Sequence, residues 1–75
     1  NMAKLEINNN HYLASQARAM GYEDMIGDED ELVEAGWDIV RRFYDKVYVD
    51  EYGDGTTTIS GPDDEDNPLV IIRED

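Results

Sequence analysis

The sequence predicts an α+β domain in which two helices pack on a small, mainly antiparallel sheet of three or possibly four strands. Two amphipathic segments in the first 46 residues predict the helices, and β-rich segments in the remainder predict the strands. The 75 residues contain no internal repeat and no linker, so we expect a single domain over residues 1–75. Asn1 precedes Met2 and is typical of an expression-tag remnant.

The first helix is predicted near residues 10–20. Leu13, Ala17 and Met20 fall on one helical face, and the asparagines at positions 8–10 supply side chains of the kind that cap a helix N-terminus. Gly21 follows at the position where a residue in the left-handed conformation ends a helix.

The second helix is predicted from about residue 29 to residue 46. Asp28 is a suitable N-cap, and Glu31, three residues later, completes a pattern that resembles a capping box. Acidic residues crowd the first turn and basic residues crowd the end, as the helix dipole favours. The apolar face is broad, and we expect Trp37 to be buried in the core. The residues of this face are Leu32, Val33, Gly36, Trp37, Ile39, Val40, Phe43, Tyr44 and Val47.

The last 30 residues predict strands. Residues 47–52 are rich in β-formers, the glycines in 53–55 indicate a turn, and residues 56–60 return as the second arm of a hairpin. Residues 69–73 form a continuous apolar run, which predicts a central strand covered on both faces. Residues 3–7 alternate weakly and are the candidate fourth strand.

The composition excludes several classes of function. The chain has 19 acidic and 6 basic residues, a net charge of −13, so nucleic acid and anionic lipid are not expected as direct partners. It has no cysteine, which rules out disulfides and thiolate zinc sites. No apolar run is long enough to span a membrane, and the start lacks the pattern of a signal peptide. We therefore expect a cytoplasmic protein.

Catalytic and metal-binding patterns are weak. His11 and Ser15 are four residues apart near a helix start, a spacing that more often gives a surface pair than a catalytic one. A calcium loop beginning at Asp50 would place Gly61 where the bidentate glutamate belongs. The acidic run at residues 63–67 can collect a divalent ion, although a solvated loop is the commoner outcome. We expect no enzyme activity, no cofactor and no specific metal site.

Most of the excess charge lies in two segments. Residues 23–34 contain seven acidic residues and no basic one, and residues 50–75 contain nine acidic residues and one basic one. Repulsion on this scale opposes folding, and solubility alone does not require it. Closely spaced carboxylates present the same negative array as a nucleic acid backbone, so a protein with a basic nucleic-acid-binding groove is the expected partner.

The acidic runs at residues 23–34, 50–54 and 63–66, in so short a chain, resemble the small acidic inhibitors encoded by phages and mobile elements. That class includes DNA mimics and many anti-CRISPR proteins. The order of two helices followed by strands is also similar to that of the phage inhibitors of uracil-DNA glycosylase. The resemblance implies stoichiometric blockade of a host nucleic-acid-binding protein, without catalysis or cofactor.

We expect partner contact at the hairpin turn and at the loop before the last strand. The acids at the start of the second helix are the second choice, because the helix N-terminus already engages them. The alternative is a small bacterial interaction module, such as an antitoxin or accessory subunit, that binds through apolar and tyrosine side chains. The sequence leaves the oligomeric state open. The predicted contact residues are Asp50, Glu51, Tyr52, Asp54, Asp63, Asp64, Glu65 and Asp66.

Overall fold

The computed structural model describes residues 2–8, 10–63 and 66–74. The five strands form one antiparallel sheet in the order β2–β1–β5–β4–β3. The predicted α+β class is confirmed, with five strands in place of three or four. In chain order the elements are β1 Met2–Ile7, α1 His11–Ala19, β2 Ile26–Asp28, α2 Glu29–Arg41, β3 Tyr48–Glu51, β4 Thr56–Ser60 and β5 Val70–Glu74.

The strand positions follow the sequence closely, with one addition. β3 and β4 form the predicted hairpin, β1 is the candidate fourth strand, and β5 occupies the centre of the sheet as expected. β2 was not predicted, because three residues are too few to show an alternating pattern. It is held against β1 by pairing that continues to Met25, whose carbonyl accepts from the Leu5 N–H at 2.9 Å.

The hydrophobic core lies between the helices and one face of the sheet. Gly36 of α2 allows the closest approach, since a Cβ there would lie 2.6 Å from Ile59 Cδ1 and 3.1 Å from Val70 Cγ1. On the other face an ion pair joins Arg73 of β5 to Glu6 of β1. Ile71 is half-buried and Arg73 is exposed on that face, so the expectation that the last strand is covered on both faces holds only in part. The buried apolar residues are Ala3, Leu5, Leu13, Ala17, Leu32, Ala35, Ile39, Val40, Ile59, Val70 and Ile72.

The limits of α1 agree with the prediction. Asn10 Oδ1 accepts a hydrogen bond from the Leu13 N–H at 2.9 Å, which is the expected N-cap. Gly21 has φ +82°, the left-handed conformation that ends the helix. Leu13 and Ala17 are buried.

The second helix differs from the prediction at both ends. Asp28 is the N-cap residue, but its side chain makes no capping hydrogen bond, so the expected capping box is absent. The helix ends at Arg41 instead of residue 46. The Arg41 guanidinium donates to the Tyr44 carbonyl at 3.3 Å, and a Cβ at Gly61 would lie 2.5 Å from the Tyr44 ring. These contacts turn the chain out of the helix and toward β3.

Trp37 is not a core residue, which corrects the sequence prediction. Its side chain remains 40% exposed, whereas Gly36 and Ile39 on either side face the sheet and are buried. The apolar segment of α2 is wider than the face that the sheet covers, because Trp37 lies about 100° around the helix from Gly36. The Arg41 guanidinium lies 5.7 Å from the centre of the Trp37 ring.

We predict that Trp37→Ala leaves the domain folded and lowers the free energy of unfolding by less than Ile39→Ala does. Ile39 is fully buried, so its truncation opens a cavity and costs about 2–5 kcal/mol. Water replaces the exposed part of Trp37 without leaving a cavity. Urea unfolding followed by circular dichroism measures both variants. A larger loss for Trp37→Ala would contradict the placement of this side chain.

Candidate interaction surface

The predicted contact residues fall into two groups at opposite ends of β4. The turn that contains Asp54 precedes Thr56, whereas the loop that contains Asp63 and Asp66 follows Ser60. Five residues of strand span about 17 Å, so the two groups do not form one patch. Two further members of the predicted set, Asp64 and Glu65, lie outside the described residues.

The group at the hairpin turn is rigidly held. Asp54 Oδ1 accepts from the Thr56 N–H at 3.0 Å, and the Tyr52 N–H donates to the Thr56 carbonyl at 2.9 Å. Asp50 and Glu51 precede the turn on β3, where they pair with β4. The Tyr52 side chain is 53% exposed. The backbone of this turn and the Asp54 carboxylate are therefore held in place, and the Tyr52 ring is exposed beside them.

The start of α2 lies at the same end of the sheet as this turn. The Thr57 hydroxyl donates to Glu29 Oε1 at 2.9 Å, and Thr57 is the β4 residue that pairs with Glu51. The end of β5 also lies here, since the Glu74 N–H donates to the Gly55 carbonyl at 3.3 Å. The helix-start acids and the hairpin acids, which belong to separate acidic segments of the sequence, therefore lie at one end of the sheet.

A further carboxylate extends this surface to the opposite edge of the sheet. Glu31 Oε2 lies 3.3 Å from the position that a Cβ on Gly27 of β2 would occupy. The row of carboxylates therefore extends from β2 at one edge of the sheet to β3 at the other. The five strands between these edges span about 19 Å at the usual strand spacing. We call this surface the acidic end; its residues are Asp28, Glu29, Asp30, Glu31, Glu51, Asp54 and Glu74.

The acidic end has no basic partner within the part of the chain that the structure describes. Arg73 is next to Glu74 in sequence, but it lies on the opposite face of the sheet and pairs with Glu6. The carboxylates of the acidic end therefore repel one another without internal compensation. The ion pairs among the described residues are Lys4–Asp24, Arg18–Glu23, Arg41–Asp45 and Arg73–Glu6.

The weak catalytic and metal-binding candidates gain no support. The Ser15 hydroxyl donates to the Tyr12 carbonyl at 2.7 Å, and His11 is exposed beside it without a hydrogen bond to Ser15. Among residues 2–8, 10–63 and 66–74, no three His, Cys, Asp or Glu side chains are grouped as metal ligands would be. Neither described helix has the length and apolar character needed to cross a bilayer.

An open cavity of about 360 Å³ lies between the end of α1 and the outer side of α2. Tyr22 and Asp38 meet there, with the phenol oxygen 3.5 Å from Asp38 Oδ2. This contact shows which flank of α2 faces α1. The residues that line the cavity are Met20, Tyr22, Asp38, Arg41 and Arg42.

We predict that Glu29→Ala lowers the free energy of unfolding by about 1–3 kcal/mol, because it leaves the buried Thr57 hydroxyl without its acceptor. Glu29→Gln keeps an acceptor oxygen and should cost less than 1 kcal/mol, mostly through the weaker interaction with the helix dipole. Chemical denaturation compares the two variants. Equal losses would show that the charge, and not the hydrogen bond, stabilises this contact.

We also predict that the melting temperature rises with sodium chloride concentration, because salt screens the repulsion at the acidic end over a Debye length of about 8 Å near physiological ionic strength. A gain of 1 kcal/mol raises the melting temperature of a domain this size by about 4–8 °C. A triple variant, Glu51→Gln with Asp54→Asn and Glu74→Gln, should melt at a temperature that depends less on salt. A flat curve for the parent chain would contradict the absence of internal compensation.

Comparison with known proteins gives no relative: the chain matches no protein-family model, no curated protein and no solved structure at a significant level.

Proposed function

We propose that the chain is a stoichiometric inhibitor of the DNA-mimic or anti-CRISPR type, whose acidic end blocks a basic nucleic-acid-binding protein of the host. The observation that carries this proposal is the gathering of carboxylates from α2, the β3–β4 hairpin and β5 at one end, while four of the six basic residues form ion pairs elsewhere. A groove lined by Lys and Arg is the surface that such an end complements.

The rigidity of the acidic end supports the same function. Glu29 is fixed by Thr57, and Asp54 is fixed by the Thr56 N–H. Carboxylates already held in place lose little conformational entropy on binding, so more of their attraction to the partner contributes to affinity. The long-range field of a chain with net charge −13 also accelerates association with a basic partner.

The proposal assigns the first contact to the acidic end, with Asp50 and Tyr52 of the hairpin beside it. The second predicted group, which includes Asp63 and Asp66, forms a separate acidic patch beyond the other end of β4. Both of its described members are exposed. They serve as the natural comparison in a test of the acidic end.

A second candidate function is a small interaction module that binds through apolar and aromatic side chains. The observation that favours it is the exposure of large apolar residues, with Trp37 at 40% and Tyr52 at 53%. Tyr12 and Phe43 add an edge-to-face ring pair with centroids 5.5 Å apart near the other end of α2. Such a module would bind its partner with little dependence on salt.

We predict that the immobilised chain captures nucleic-acid-binding proteins from bacterial lysate and that both duplex DNA and high salt release them. Neutralising four residues of the acidic end, as Asp30→Asn, Glu51→Gln, Asp54→Asn and Glu74→Gln, should lower the association rate constant of a captured protein by about tenfold or more. The rate constant is measured by surface plasmon resonance at several salt concentrations.

The matched control neutralises four acids elsewhere and therefore has the same net charge. It should lower the rate constant much less than the neutralisation of the acidic end. Equal effects of the two variants would show that total charge matters and that the acidic end has no special role. Capture that resists both DNA and salt would instead support the interaction module. The control substitutions are Glu34→Gln, Asp38→Asn, Asp63→Asn and Asp66→Asn.

A further inference from the structure

β3 is an edge strand whose outer side has no partner among the described residues. The Tyr52 N–H bonds to the Thr56 carbonyl of β4, and hydrogen bonding alternates along an antiparallel pair. Asp50 and Tyr48 therefore face β4 with their backbone groups. Val49 and Glu51 direct their N–H and C=O groups outward, where another strand can pair with them.

The side of β3 that faces the helix layer is also open. α2 packs against β1, β2, β4 and β5, but it makes no contact with β3. Val49 pairs with the buried Ile59 and so lies on the helix side of the sheet, yet it is 39% exposed. The β3 edge thus has both an unpaired backbone and an uncovered apolar side chain.

One flank of α2 runs beside this opening. Residues 29, 33 and 37 are spaced by four and form a stripe along the helix. Because Glu29 bonds to Thr57 of β4, this stripe lies on the flank of α2 that is directed toward β4 and β3. Asp38 lies on the opposite flank, where it contacts Tyr22 beside α1. The exposed ring of Trp37 therefore borders the helix side of β3.

The charges around the β3 edge identify the chemistry of the strand that can bind there. Asp50 and Glu51 belong to β3 itself, and Asp30 is exposed in the first turn of α2. A second copy of this chain would bring Asp50 and Glu51 against equivalent acids, and each copy has a net charge of −13. An extended basic segment is attracted by the same residues.

We propose that the β3 edge binds an extended basic segment of the inhibited protein as a sixth strand of the sheet. The alternation of side chains sets the pattern of that segment. The residue opposite Val49 is aliphatic and lies against Trp37, the next residue is basic and faces Asp50, and the third is basic and faces Glu51. The basic character of the partner rests on the proposed function; the mode of docking does not.

The test uses a short fluorescein-labelled peptide with a valine–arginine–arginine core between threonines. We expect the full chain to bind this peptide and the amide hydrogens of Val49 and Glu51 to become protected from exchange, as measured by nuclear magnetic resonance. Protection of these two amides identifies strand addition, because a purely electrostatic contact leaves them open to solvent. A peptide with glutamine in place of arginine should bind much more weakly.

Two proline substitutions, one at each edge of the sheet, provide matched variants. Val49→Pro removes an outward N–H without breaking the ladder to β4, and we expect it to weaken peptide binding by about tenfold, equivalent to one backbone hydrogen bond and its apolar contact. Ile26→Pro does the same at the opposite edge, since pairing of Leu5 with Met25 leaves the Ile26 N–H directed outward. It should leave peptide binding unchanged. Trp37→Ala should weaken binding without unfolding the domain.

Several outcomes would overturn this inference. One is an equal loss of peptide binding for Val49→Pro and Ile26→Pro. Another is peptide binding that leaves the Val49 and Glu51 amides unprotected from exchange. The third is protection of these amides that grows with protein concentration in the absence of peptide, which would show pairing between copies of the chain. The proposed function is tested separately, by whether duplex DNA displaces the captured protein. If capture persists in Val49→Pro at the parental level, the docking mode fails and the proposed function stands.

Discussion

The packing of α2 against the centre of the sheet determines the arrangement of the acidic end and of the β3 edge. Gly36 permits this contact, because any larger side chain would meet Ile59 and Val70. With the helix fixed there, its N-terminus lies at the end of the sheet where the β3–β4 hairpin turns and β5 finishes. The same contact leaves Trp37 exposed on a flank of the helix. A small change in this packing would move the helix-start acids and the tryptophan together.

The sequence predicts those parts of the fold that depend on local signals. Asn10 and Gly21 bound the first helix, and the glycines between β3 and β4 identify the hairpin. β2 was missed because its three residues gain their structure from pairing with β1, a contact that no local pattern reveals. Trp37 was placed wrongly because periodicity shows which helical positions are apolar, but not how wide a stripe the sheet covers.

The candidate site shows the same division between local and long-range information. The acidic runs are plain in the sequence, and their number already suggests a basic partner. The order of the elements in the fold brings these acids together. The helix that follows β2 begins beside the turn that precedes β4, so Glu29 lies next to Thr57 although the two residues are 28 positions apart in the sequence. Only the order of the strands in the sheet shows that Glu74 belongs to the same surface.

The acidic end and the β3 edge are continuous, because Glu51 belongs to both. In the mode of binding that we propose, the two surfaces would act at different stages. Charge at the acidic end would act at long range and set how fast the proposed basic partner associates. Backbone pairing along β3 and contact with Trp37 would act only after this encounter and set how slowly the partner dissociates. The proposed partner's basic groups would also relieve the repulsion among the carboxylates that opposes folding, so binding of such a partner would stabilise the fold of this chain.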